Sequence, residues 1–150
     1  TTEIYTLSLH DALPIFRMRI EASPAQKQIF LMTMGSVAEF KARADFANGF
    51  FQVAGFEVMY PQGFSTVNEA VDAALKSGAN AICICSTDEN YVQLVPEICE
   101  KLKGKTMILA GYPTDQIEAY KEYGISSFIH IRADLVSTLA ELAVQMEVIA

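Results

Sequence analysis

Residues 27–34 read KQIFLMTM, a near-continuous apolar run. Such a run suits a strand buried on both faces, because no alternate residue is left to face water. The pattern then recurs along the chain. Residues 37–54 follow as an amphipathic helix, and 56–60 (FEVMY) read as a second strand punctuated by Pro61 and Gly63. Ser65-Thr66 offers a cap for a helix through Lys76, with Glu69 at capping-box spacing from Thr66, and Gly78 stops it. Residues 79–85 (ANAICIC) form a third strand. Ser86-Thr87-Asp88 then offers a cap for a helix over 89–102, and Gly104 ends it. Residues 105–110 form a fourth strand, and Thr114-Asp115 caps a short helix ending at Gly124. Residues 125–131 (ISSFIHI) form a fifth strand, and Asp134 opens a last helix. Strict strand–helix alternation with short links implies a parallel sheet covered by helices on both faces. The expectation is an α/β, doubly wound, five-stranded sheet of flavodoxin-like order 2-1-3-4-5. Its ligand crevice lies between strands 1 and 3, where the order reverses.

Residues 1–15 (TTEIYTLSLHDALPI) stand apart. They lack the basic start and unbroken apolar core of a signal peptide. They resemble one reading frame of a sequencing-library adapter, a contaminant of assembled environmental sequence, and are set aside as a non-native leader. Residues 16–27 read as a linker remnant and 28–150 as the domain, in a fragment whose natural N-terminus is expected to be longer. Without Glu3 and Asp11, 16 of the 18 acidic residues remain against 11 basic ones, a net charge of −5. An acidic surface does not suit a nucleic-acid or anionic-membrane partner, since both need a basic patch. No apolar run approaches the ~20 residues of a membrane-spanning helix. Three cysteines make no disulfide framework and fit a reducing cytoplasm or organelle matrix, of which the cytoplasm is the expectation.

The turn after strand 1 reads Gly35-Ser36-Val37-Ala38-Glu39-Phe40. It lacks the Ser/Thr/Gly-rich phosphate cradle that a flavin-binding domain would use. Cys83 and Cys85 alternate with Ile82 and Ile84 and read as core, as does Cys99 on its helix. Ser86 and Thr87 lie beside the crevice and suit either a hydroxyl contact or a cap. Gly111-Tyr112-Pro113 reads as a turn. His130 falls near the end of strand 5 without an obvious carboxylate partner. No nucleophile–base pair, acid pair or metal cluster is evident. The first helix carries two apolar stripes. Phe40, Ala44, Ala47, Phe51 and Ala54 form the core stripe. Phe46, Phe50 and Val53 lie about 110° away, with Arg43 between the two. One sheet face accounts for one stripe, so the second is assigned either to a neighbouring helix or to an interface with other protein.

Three segments carry a more specific likeness: KARADFANGFFQVAGFEVMYPQGFSTVNEA (41–70), ICSTDENY (84–91) and LAGYPTDQIEAYKEYGISSFIHIRA (109–133). With them the sequence resembles the C-terminal cobalamin-binding-like domain of methylmalonyl-CoA mutase, specifically that of the non-catalytic small subunit. In the family's large subunit, D-x-H-x-x-G after strand 1 supplies the histidine beneath cobalt, an aspartate that orients it, and a glycine that lets the nucleotide tail approach. Here residues 36–42 contain none of the three. The family's Gly-Gly after strand 4 is Ala110-Gly111, and its Gly-Pro-Gly-Thr after strand 5 is His130-Ile131-Arg132-Ala133. The resemblance therefore implies a vestigial crevice at Gly35, Ser36, Ser86, Thr87, Gly111, Tyr112 and His130. It implies no catalytic residue or metal here, and adenosylcobalamin only in the partner. It further implies a heterodimer with the mutase large subunit, contact with the missing N-terminal domain, and a supporting role in the methylmalonyl-CoA/succinyl-CoA isomerisation. The alternative is a working cobalamin-binding module that holds the cofactor by shape and backbone contacts.

Overall fold

A computed structural model describes residues 17–18, 21–22 and 27–130. The strands are β1 (Gln28–Thr33), β2 (Glu57–Met59), β3 (Ala81–Cys85), β4 (Thr106–Ala110) and β5 (Ile125–Ile129). The helices are α1 (Val37–Val53), α2 (Val67–Ser77), α3 (Asp88–Lys101) and α4 (Ile117–Tyr123). The five strands pair in parallel in the order β2-β1-β3-β4-β5, as the alternation implied. The expected leader (1–15) and the helix opened by Asp134 lie outside the described residues.

Central strands are buried on both faces, which is why β1 and β3 need unbroken apolar runs. Their alternate residues feed two cores. Ile29, Leu31, Cys83 and Cys85 pack under α1, while Phe30, Met32, Ile82 and Ile84 pack with α2 and α3. All three cysteines are buried free thiols. The caps of α2 and the N-cap of α3 fall where the sequence put them. Thr66 Oγ1 accepts the Glu69 N–H at 3.2 Å, and Thr87 Oγ1 accepts that of Asn90 at 3.1 Å. Gly78 ends α2 with φ 76°.

Two expectations are corrected. The second stripe of α1 is not a free interface. Phe50 is only 8% exposed and Phe46 is half-buried against the same core; Val53 alone stays exposed. The rings of Phe46, Phe50, Phe51 and Phe56 form a chain with centroid separations of 5.6, 5.5 and 6.0 Å. The cause is that α1 crosses the sheet rather than following one strand, touching β1, β2, β3 and β4, so its buried face is wider than one stripe. The second correction concerns α4. Thr114 and Asp115 do not cap it; its N-cap is Gln116, with no side-chain cap bond. The Gln116 N–H instead donates to Pro113 O at 2.9 Å, closing a turn that takes up both residues.

Within 16–27, the described residues Arg17, Met18, Glu21 and Ala22 are helical. They rest on Gly55, where an added Cβ would come within 3.2 Å of both Arg17 Cγ and Arg17 O. At the opposite end of the sheet, Met34 pairs with Phe64, and Gly35 N–H donates to Phe64 O at 3.1 Å. That pairing fixes the loop between β1 and α1.

Candidate functional site

Gly35 and Ser36 follow β1, Ser86 and Thr87 follow β3, Gly111 and Tyr112 follow β4, and His130 follows β5. All seven therefore lie on the carboxyl edge of the sheet, where open α/β sheets hold their ligands. The strand order reverses between β1 and β3, and that mouth is occupied by the chain's own side chains.

Glu39 fills the first position. Its Oε1 accepts the Ser36 N–H at 2.9 Å, so a carboxylate already sits at the α1 N-terminus, where free N–H groups and the helix dipole attract an anion. Its Oε2 accepts from Asn90 Nδ2 at 2.8 Å. Asn90 also donates to Ser86 Oγ at 3.0 Å, and Ser86 Oγ donates to Met34 O at 2.9 Å. The Ser36 N–H and then Asn90 hold the Glu39 carboxyl below its ordinary value. Gly35 is required beside it. Its φ is 94°, and a Cβ there would stand 2.6 Å from Glu39 Oε1.

Arg43, one helical turn on, fills the second position. Its Nη1 donates to Ser86 O at 2.9 Å and lies 2.8 Å from Asp88 Oδ1. Its Cζ stands 5.4 Å from the centroid of the Tyr91 ring. Gly111, with φ 133°, makes room, since a Cβ there would meet Arg43 Nη1 at 3.1 Å. Burial opposes the Arg43 charge, but Asp88 and Tyr91 outweigh it and raise the guanidinium above its usual value. Beneath it, the Tyr91 hydroxyl accepts the Ser86 N–H at 2.9 Å and donates to Ala110 O at 2.6 Å. Burial drives that phenol well above the ordinary range.

The network joins Gly35, Ser36, Ser86 and Thr87, and Arg43 brings in Gly111. Tyr112 and His130 form a separate stack at the β4–β5 end, with ring centroids 4.6 Å apart, and Phe128 lies edge-on to Tyr112 at 6.0 Å. What remains open is shallow. A pocket of about 370 Å³ touches Gly35, Glu39, Ser65, Glu89 and Asn90. Another of about 450 Å³ lies between Val37, Phe40, Lys41, Tyr60 and Pro61. Among the described residues no group of three or more His, Cys, Asp or Glu side chains is placed to hold a metal ion. The Cys83 and Cys85 sulfurs stand 4.0 Å apart, and burial pushes the Cys83 thiol well up and that of Cys99 to about 11. Sequence reasoning named Glu39, Arg43 and Asp88 without assigning them to the crevice, and it passed over Asn90 and Tyr91. Ser36-x-x-Glu39 is a legible capping-box spacing; the other four act across the fold and leave no local signature.

Comparison with known proteins adds what the chain is similar to. A methylmalonyl-CoA mutase small subunit of Porphyromonas gingivalis is 32% identical over 124 residues, which is 82% of this chain and 20% of the relative. This chain is similar to methylmalonyl-CoA mutase small subunits. A second such small subunit, from Streptomyces virginiae, is 31% identical over 84 residues, covering 56% of the chain and 14% of the relative. The chain thus spans about a fifth or less of the length of these mutase subunits. No family model matches it. Among solved structures, a cobalamin-binding protein of Desulfitobacterium hafniense has a TM-score of 0.60 at 12% identity, covering 99% of this chain and 75% of that one. The chemotaxis protein CheY4 of Vibrio cholerae reaches 0.52 at 14% identity, over 81% of this chain and 99% of its own. Two such different proteins share the fold alone, so the mutase likeness rests on the sequence matches.

Proposed function

We propose that this chain is the degenerate cobalamin-binding-like domain of a methylmalonyl-CoA mutase small subunit. In this reading it takes no part in the chemistry and supports a catalytic large subunit, within a cytoplasmic heterodimer that isomerises methylmalonyl-CoA and succinyl-CoA. Adenosylcobalamin belongs to the large subunit. The observation that carries the reading is the self-filled crevice: Glu39 caps α1, and Arg43 reaches Ser86 O and Asp88. The residues present do not fit a corrinoid. The loop after β1 offers no imidazole, and His130, the histidine among the described residues, is stacked on Tyr112 beyond β4. A carboxylate such as Glu39 is a poorer cobalt ligand than imidazole, and it is already committed to Ser36 and Asn90. The other partner in this reading is the N-terminal portion of the same subunit, and neither nucleic acid nor membrane is a partner.

The test is titration of the purified chain with adenosylcobalamin and hydroxocobalamin, followed by absorbance and calorimetry. No saturable binding is expected up to about 100 μM, since the ligand and its oriented support are both missing. Micromolar binding with a base-off spectrum overturns the reading and makes the domain a working cobalamin module.

A further inference from the structure

The walls around Arg43 come from three separate places. Ser86 O ends β3, Asp88 and Tyr91 belong to α3, and Gly111 follows β4. Each suits one part of a planar cation. A carbonyl and a carboxylate meet the N–H edge, a phenol ring meets the guanidinium in cation–π contact, and a glycine leaves backbone where a side chain would intrude. Asp88 also lies in the first turn of α3, where the helix dipole favours its charge whether or not Arg43 is present. Arg43 itself comes from α1, on the far side of the mouth. We propose that Arg43 is a built-in occupant of the crevice, and that the walls it fills form a guanidinium-binding site which accepts a free guanidinium ion once the side chain is cut back.

The inference deepens the reading of the crevice as one that takes no cofactor, by naming the group that closes it. A tethered side chain competes at an effective concentration of about millimolar or more. Dilute cations therefore do not displace Arg43 from the intact protein. The same tether keeps out any ligand that must pass between α1 and the ends of β3 and β4.

The experiment compares the intact chain with Arg43→Ala, Arg43→Lys and the double variant Arg43→Ala/Asp88→Asn. Each is melted in 0 to about 20 mM guanidinium chloride, with sodium chloride as the ionic control; this is far below the molar range in which guanidinium denatures small domains. Arg43→Ala is expected to melt several degrees below the parent and to recover part of that loss, saturating at about 1–10 mM guanidinium as a ligand of the native state does. The parent, Arg43→Lys and the double variant are expected to show no saturable rise. If Arg43→Ala does not fold alone, its refolding yield with and without guanidinium replaces the melt. A folded Arg43→Ala that ignores guanidinium, a rise equal in the double variant, or an unfolded Arg43→Ala that guanidinium does not rescue overturns the proposal. Titrating Arg43→Ala with adenosylcobalamin separates this from the functional reading. Cofactor binding by that variant would count against the loss of corrinoid fit while leaving the guanidinium result standing.

Discussion

Tyr91 and Tyr120 are both buried tyrosines, 0% and 2% exposed, yet their hydroxyls stand in opposite positions. Tyr91 accepts the Ser86 N–H and donates to Ala110 O, joining the ends of β3 and β4 under the Arg43 guanidinium. The Tyr120 hydroxyl has no hydrogen-bond partner among the described residues. Removing one member of a satisfied buried pair strands the other, which costs about 1–3 kcal/mol, whereas removing an unsatisfied group strands nothing. Tyr91→Phe is therefore expected to lower the unfolding free energy by about 1–3 kcal/mol, and Tyr120→Phe to leave it unchanged or slightly raised. Urea melts at constant m-value check both, and equal losses in the two variants would contradict the assignment. The cysteines belong to the same class of buried group. Burial raises rather than lowers the Cys83 and Cys99 thiols, and all three cysteines act as small apolar side chains, as the alternation of Cys83 and Cys85 with Ile82 and Ile84 indicated for that pair.

At the scale of the element, α1 carries most of what is distinctive. Its polar N-terminal turns close the crevice through Glu39 and Arg43, and its later turns lay Phe46, Phe50 and Phe51 on the sheet. The double variant Phe46→Ser/Phe50→Ser is expected to unfold the domain rather than free an otherwise intact surface. Truncating one buried phenylalanine costs about 3–5 kcal/mol, against a total stability of about 5–15 kcal/mol for an ordinary domain. Circular dichroism of the purified variant decides it: a folded, parent-like melt would return those rings to the surface. The strands and two of the caps were legible because they are local: an apolar run for β1 and β3, and Thr66 and Thr87 ahead of α2 and α3. The width of the buried face of α1 was not. A helical projection records which residues share a side, but not how many strands the helix crosses. The start of α4 misled for a related reason, because Thr114 and Asp115 suit a cap and a turn equally well, and Pro113 O decided between them.

At the scale of the molecule, the sheet order and the carboxyl edge followed from strand–helix alternation, and with them the neighbourhood of Gly35, Ser36, Ser86, Thr87 and Gly111. Closure of the mouth did not follow, since Arg43 meets Ser86 43 positions away and Glu39 meets Asn90 51 positions away. Those two links tie α1 to the end of β3 and the first turn of α3, and they respond differently to acid. Arg43 stays charged throughout, while Glu39 titrates. Its folded value lies below the ordinary 4.5, chiefly through the Ser36 N–H and then Asn90. A depressed carboxylate contributes stability above its unfolded value and loses it as pH falls through the folded one. Asp45, lowered first by Tyr60 and then by Lys41, adds a loss of the same sign. Melting Glu39→Gln beside the parent isolates Glu39, because both proteins keep Asp45. The parent is expected to melt higher at pH 7, and the gap should narrow steadily below about pH 4.5, as the parent's own carboxylate becomes protonated and resembles the amide. A gap that stays constant from pH 7 to about pH 3 would show that the Glu39 charge does not help hold the mouth shut.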